Sequence, residues 1–168
     1  MSDVLEITPT ESVEVLRSEP AVLEGKGIYA PGPGKAPPKH YHPFQDERIE
    51  VAAGTLRTVV DGVVRTLVAG ETLDVARGTT HAMWNESGET TETIWRTLPA
   101  RRTEQWFRAI DAVRREGKVG KDGMPGPLAF GVYLSEYRDV FRLAGPDWLL
   151  RPALAALGLV GRARGYRA

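Results

Sequence analysis

His40, His42, Glu47 and His81 are the residues of this chain whose types and spacing could do chemistry. His40 and His42 lie two apart. Alternate side chains of a strand face the same way, so both imidazoles can enter one cavity. Glu47 lies five residues after His42, an odd offset that would turn it to the opposite face of a continuous strand. Pro43 offers a bend, after which Glu47 could face the histidines across a hairpin. His81 comes much later, behind the turn signal Gly78-Thr79-Thr80. Three neutral imidazoles and one carboxylate form a nitrogen and oxygen set that suits iron, zinc, nickel, copper or manganese better than calcium or magnesium. Four protein ligands on an octahedral ion would leave positions open for water, substrate or dioxygen. A lone histidine or a lone His-x-His pair is usually a satisfied core or surface feature, so the weight rests on the full set.

The elements that must position these residues differ between the two halves of the chain. Up to about residue 100, short β-rich runs alternate with turn signals: residues 13–16, 21–29, 48–51, 55–60 and 63–68. Short strands at this spacing predict a sandwich or barrel. Asp61-Gly62 separates two runs and favours the positive φ angles of a tight antiparallel hairpin. Gly70 and Gly78 punctuate the next strand. Residues 31–38 hold four prolines and two glycines and read as a loop or an edge leading into the first histidines. From Arg101 the period becomes helical, with Trp106, Phe107, Ile110 and Val113 on one side. Residues 118–127 read as a Gly- and Pro-rich loop, residues 128–143 as a second helix, and a third helix starts near Pro146. The expected division is a β-barrel over residues 1–100 and a helical extension over 101–168.

Composition excludes several function classes. Lys plus Arg and Asp plus Glu balance at 22 each, which gives no reason to expect nucleic acid. The chain has no cysteine, so disulfides, thiolate metal sites and a cysteine nucleophile are out. Residues 1–10 lack the basic start and apolar run of a secretory signal. No apolar stretch reaches the roughly 18 residues of a membrane span. The reading is a soluble, cytoplasmic protein with a small-molecule substrate or ligand.

The spacing of these residues resembles the cupin superfamily. Gly34, His40, His42, Glu47 and Gly54 stand as in its first motif. Gly70, Gly78, His81 and Asn85 stand as in its second, with Ala76 where the family usually has proline. The resemblance covers about residues 20–100. It implies a double-stranded β-helix, a jelly-roll barrel, with one divalent metal ion (Fe, Mn, Ni, Cu or Zn) on His40, His42, Glu47 and His81. It also implies pairing of barrels into a homodimer. A looser similarity links the tail to an uncharacterised group of bacterial cupins, through Gly117-Lys118, Gly123-Met124-Pro125, Pro127-Leu128 and Gly165-Tyr166. That group brings no activity.

If His81 points inward, strand alternation puts Met83 and Asn85 on the same face. Glu47, Ile49 and Val51 share another inward face, as do Leu56, Thr58 and Val60. The expected pocket is therefore apolar, with Met83, Gln45, Ile49, Val51, Leu56 and Asn85 around the metal. Gln45 reads either as a hydrogen-bond support for a ligand or as a solvated turn residue. The register leaves open whether Trp95 or Arg96 faces in, and an inward Arg96 would favour an anionic substrate. No catalytic residues apart from the ligands stand out: there is no nucleophile elbow, phosphate-binding loop or spare histidine. Any chemistry is then the metal's, as Lewis acid, activator of water or site for dioxygen. The first expectation is a metal-dependent oxidoreductase of the dioxygenase type. A metal-dependent isomerase or cyclase, or a non-catalytic sensor, is the alternative. The last helix, with an apolar face and terminal arginines, reads as packing on the barrel or a second subunit, ahead of membrane contact or a lid over one barrel mouth.

Overall fold

The computed structural model describes residues 3–32, 36–121 and 123–168. Gly34 of the first motif lies outside them. Ten strands precede the first long helix. They are β1 Val4–Thr8, β2 Glu11–Glu19, β3 Val22–Tyr29, β4 His40–Tyr41, β5 Asp46–Ala53, β6 Thr55–Val60, β7 Val63–Val68, β8 Thr72–Val75, β9 His81–Trp84 and β10 Thr91–Leu98. Then come α1 Thr103–Arg115, α2 Pro127–Glu136, β11 Arg142–Leu143 and α3 Asp147–Ala163.

The strands form two antiparallel sheets, ordered β1-β2-β3-β10-β5-β8 and β11-β4-β9-β6-β7. Alternation decides which side chains meet between them. Leu23 and Tyr29 of β3, Ile49 and Val51 of β5 and Trp95 of β10 come from the first sheet. Leu56 of β6 and Leu67 of β7 come from the second and complete one core with them. The charged residues Asp46, Arg48 and Glu50 alternate with the inward set of β5 and stay outside the core. The β6–β7 hairpin turns on Asp61 and Gly62 at φ 45° and 85°, the left-handed pair a two-residue turn requires. This is the jelly-roll barrel that the resemblance implies, within the sandwich or barrel class that the strand spacing predicts, followed by a helical segment.

The extension differs from its sequence reading. The expected helix over 128–143 stops at Glu136, and residues 142–143 form strand β11 instead. β11 pairs with β4, Leu143 opposite His40 and Arg142 opposite Tyr41. The physical reason is the demand of β4, a two-residue strand whose backbone groups need a partner on that side. The last helix, α3, packs on α2. Glycines permit the close approach. A Cβ on Gly131 would lie 2.6 Å from Leu157 Cβ, and one on Gly161 would lie 2.7 Å from the Leu128 carbonyl oxygen. No helix among the described residues is long and apolar enough to cross a membrane.

Gln45 locks α1 to the barrel. Its Nε2 lies 2.9 Å from the Pro99 and Ala100 carbonyl oxygens and 2.7 Å from Thr103 Oγ1. The residue is only 1% exposed, so it is not a solvated turn residue, and its amide nitrogen is engaged by these three oxygens rather than by a metal ligand. The sequence offers no sign that the chain after β10 returns past it. Replacement by the near-isosteric leucine leaves buried carbonyls without a donor. Gln45→Leu is therefore expected to lower stability by about 2 kcal/mol in urea unfolding, with metal affinity unchanged. A loss of metal with unaltered stability would place Gln45 at the site after all.

Candidate metal centre

Two short pieces of chain bring the histidines together. His40 and His81 are directly opposed in the β4–β9 pairing. Opposed residues carry their side chains on the same face, and the two rings lie 4.4 Å apart between centroids. His42 follows on the same face, 5.2 Å from His40 and 5.4 Å from His81. One ring nitrogen from each lies within 4.8 Å of the others, so the three could hold a metal ion.

Glu47 reaches the cluster from the other sheet. The expected hairpin between His42 and Glu47 is not formed. β4 and β5 belong to different sheets, and the chain crosses between them at Pro43 and Phe44. Glu47 thus faces the histidines across the barrel, with Oε1 3.3 Å from His42 Nε2 and Oε2 2.9 Å from His81 Nε2. Trp95 Nε1 donates to Glu47 Oε1 at 2.8 Å and fixes the carboxylate. This also settles the register of β10: Trp95 points in, while Arg96 pairs with Glu24.

Hydrogen bonds on the far side of each ring decide which nitrogen faces the centre. His42 Nδ1 lies 2.7 Å from the Val140 carbonyl oxygen, and His81 Nδ1 lies 2.9 Å from that of Thr79. His40 Nδ1 makes a longer contact, 3.4 Å, with Pro38. A carbonyl can only accept, so Nδ1 carries the proton and Nε2 presents its lone pair inward. His81 Nε2 and Glu47 Oε2 then meet as two acceptors, and neither has a hydrogen-bond donor. Such a pair needs a cation between its atoms, either a proton or a metal ion. Three imidazole nitrogens and a carboxylate oxygen fit iron, manganese, nickel, copper or zinc.

The titration behaviour follows from this enclosure. Burial, and then the neighbouring His81 and His42, push His40 down to about 3, so it is neutral at physiological pH. Burial alone would raise the Glu47 carboxyl. The neighbouring imidazoles outweigh it, His42 first and then His81 and His40, and hold the group at about 2. Burial would lower His81, but the adjacent Glu47 carboxylate more than offsets it, and the group is raised.

Of the other expected pocket residues, Ile49, Val51 and Leu56 belong to the barrel core, and Met83 packs against it. Asn85 does not face the pocket. β9 ends at Trp84, and the Asn85 side chain ties the following loop instead. Its Nδ2 donates to the carbonyls of Tyr29, Ala30 and Glu89, and its Oδ1 accepts from Ser87. An asparagine bonding its own backbone two residues on is a turn device, and that role takes precedence over strand alternation. Two residues at the centre escaped sequence reading because they lie inside the expected second helix. Val140 supplies the carbonyl that holds His42. Phe141 stacks on His40 at 4.4 Å and 19°, and on Trp106 of α1 at 5.2 Å and 21°.

Residues 22–96 match the family model of the cupin domain, so the barrel of this chain is a cupin domain. The fold is similar to KdgF from Halomonas sp. at 18% identity and a TM-score of 0.55, over 61% of this chain and 92% of that one. It is similar to an RmlC-like cupin from Shewanella frigidimarina at 21% identity and a TM-score of 0.53, over 62% and 89% of the two chains. A cupin-superfamily sugar phosphate isomerase from Silicibacter pomeroyi aligns at 21% identity and a TM-score of 0.50, over 55% and 61%. No curated protein matches the sequence.

The extension therefore touches the centre through Val140 and Phe141. Loss of a supporting partner of a metal-binding histidine typically costs about 10- to 100-fold in affinity. Phe141→Ala is expected to weaken metal binding by about tenfold in a competition titration. An unchanged affinity would show that the stack on His40 only fills space.

Proposed function

We propose that this cupin barrel is a metal-dependent enzyme of the dioxygenase type, acting on a small organic molecule. His40, His42, His81 and Glu47 would hold one divalent ion of iron, manganese, nickel, copper or zinc. The observation that carries the reading is the convergence of three Nε2 lone pairs and a carboxylate inside the barrel, each ring fixed from behind by a backbone carbonyl. When bound, the ion supplies a Lewis-acid centre with open coordination positions.

The chain's own residues do the rest. Trp95 holds Glu47 in place, so the carboxylate does not have to reorganise. The Val140 carbonyl fixes the tautomer of His42. Ile49, Val51 and Leu56 fill the barrel core, and Met83, partly buried against it, would give a small organic substrate an apolar contact. With Arg96 engaged outside by Glu24, an anionic substrate finds no inward arginine from β10.

The reading is tested by oxygen uptake. Chain loaded in turn with iron, manganese, nickel and copper is given a panel of small aromatic and dicarbonyl compounds. Uptake with at least one metal is expected, falling by more than about a hundredfold in His42→Ala. No uptake with any metal would move the reading to a redox-neutral isomerase or cyclase, for which zinc serves equally.

A further inference from the structure

Helix α3 is apolar on two opposite faces. Leu154 and Leu157, with the buried glycines Gly158 and Gly161, turn toward α2. The opposite face turns to solvent. There Trp148 is 78% exposed, Leu149 52%, Leu159 70% and Val160 45%. Pro152 and Ala156 lie among them and are exposed too. These residues recur at helical spacing and form one stripe along the helix. A helix that is hydrophobic all round is normally buried, and an exposed apolar patch of this kind marks a surface that something covers.

The charge around the stripe is of one sign. Residues 138–168 carry six arginines, no lysine and two aspartates, in a chain whose charges balance at 22 each. One of the aspartates, Asp139, is engaged by Arg102. Between α2 and α3 runs a trough of about 680 Å³, lined by Arg138, Arg142, Arg151 and Arg162 beside Asp147. Past the end of α3 a second trough, of about 640 Å³, is lined by Lys118, Arg164 and Arg167. Lys118 is paired with Glu116, and Arg162 with Glu136 at 3.6 Å. Arg138, Arg142, Arg151, Arg164 and Arg167 have no carboxylate partner among the described residues. By the helical period Arg151 and Arg162 fall on one edge of the stripe and Arg164 on the other.

We propose that α3 is an interfacial anchor that lays its outer face on an anionic lipid bilayer. The stripe enters the boundary of the acyl chains, and the flanking guanidiniums bind lipid phosphates. A second copy of the chain satisfies the stripe but not the charges. Laid face to face in either direction, two such helices set arginine against arginine. The one acid of α3, Asp147, lies in the trough beside α2 and not on an edge of the stripe. An anionic bilayer satisfies both at once. The helix lies along the membrane plane, because its inner face stays packed on α2. Sequence reading ranks this contact behind packing because the period alone does not show which apolar face turns outward. The metal centre takes no part in it.

The test is flotation of the full chain with vesicles of phosphatidylglycerol and phosphatidylcholine in equal parts, beside vesicles of phosphatidylcholine alone. Wild type is expected to float with the anionic vesicles, to stay behind with the neutral ones, and to be released in about 0.5 M salt. The double variant Arg151→Gln, Arg164→Gln should bind about 25-fold more weakly, at about fivefold for each arginine. Leu159→Asp should not float. All of these side chains are exposed, so the variants should melt with wild type.

Tryptophan emission of the wild type gives a second readout that needs no destabilising change. Trp95 and Trp106 are buried, whereas Trp148 stands at the start of the stripe. Anionic vesicles should shift the emission to the blue, and Trp148→Phe should lose that shift. Wild type that fails to float with the anionic vesicles, or floats equally with the neutral ones, overturns the proposal. So does flotation with no change in Trp148 emission, which would put the contact on another surface. A dimer in analytical ultracentrifugation that Leu159→Asp splits would show that a second copy covers the stripe, and would overturn it too.

Discussion

Glu47 Oε2 and His81 Nε2 face each other at 2.9 Å with no hydrogen bond to either. Two buried acceptors at that distance repel unless a positive charge lies between them, and much of the structure arranges that condition. His81 cannot turn its proton inward, because Nδ1 needs it for the Thr79 carbonyl. Glu47 cannot turn away, because Trp95 holds its other oxygen. A proton on His81 meets the requirement in the metal-free chain, which is why that imidazole is raised and the carboxyl lowered. A divalent ion meets it with two further imidazoles, one of them, His40, already held neutral. A barrel core of Ile49, Val51 and Leu56 needs none of this for stability, so the cost of burying a carboxylate points to binding.

The helical extension is part of the same arrangement. β11 extends the sheet that carries His40 and His81, Val140 holds His42, and Phe141 sits between His40 and Trp106. Arg102 at the start of α1 binds Asp139 at 2.5 Å and Glu136 at 3.2 Å, which pins the turn that presents Val140. Gln45 ties α1 back to the barrel. The histidines are thus positioned by the barrel strands, and two of them, His40 and His42, are also held by a segment that follows the barrel in sequence.

The four polar residues of the centre, the barrel and the Asp61-Gly62 hairpin were legible in the sequence, because period-2 alternation and turn chemistry are local signals. What was not legible depends on contacts between distant segments. Strand β11 reads as helix because its residues continue an apolar run, and only pairing with β4 makes them extended. Gln45 and Asn85 stand where alternation points to the pocket, yet each turns to satisfy backbone groups that sequence does not show. The side of β10 that faces in was open until the pairing of Trp95 with Ile49 fixed its register.

The most direct test of the account is metal analysis by mass spectrometry of protein purified without chelator, wild type beside His42→Ala. The arrangement of lone pairs around Glu47 predicts close to one divalent transition-metal ion per chain in the wild type and its loss in the variant. A wild-type chain that carries no such ion, and takes up none on reconstitution, would contradict the central claim. The facing acceptors would then be bridged by a proton alone.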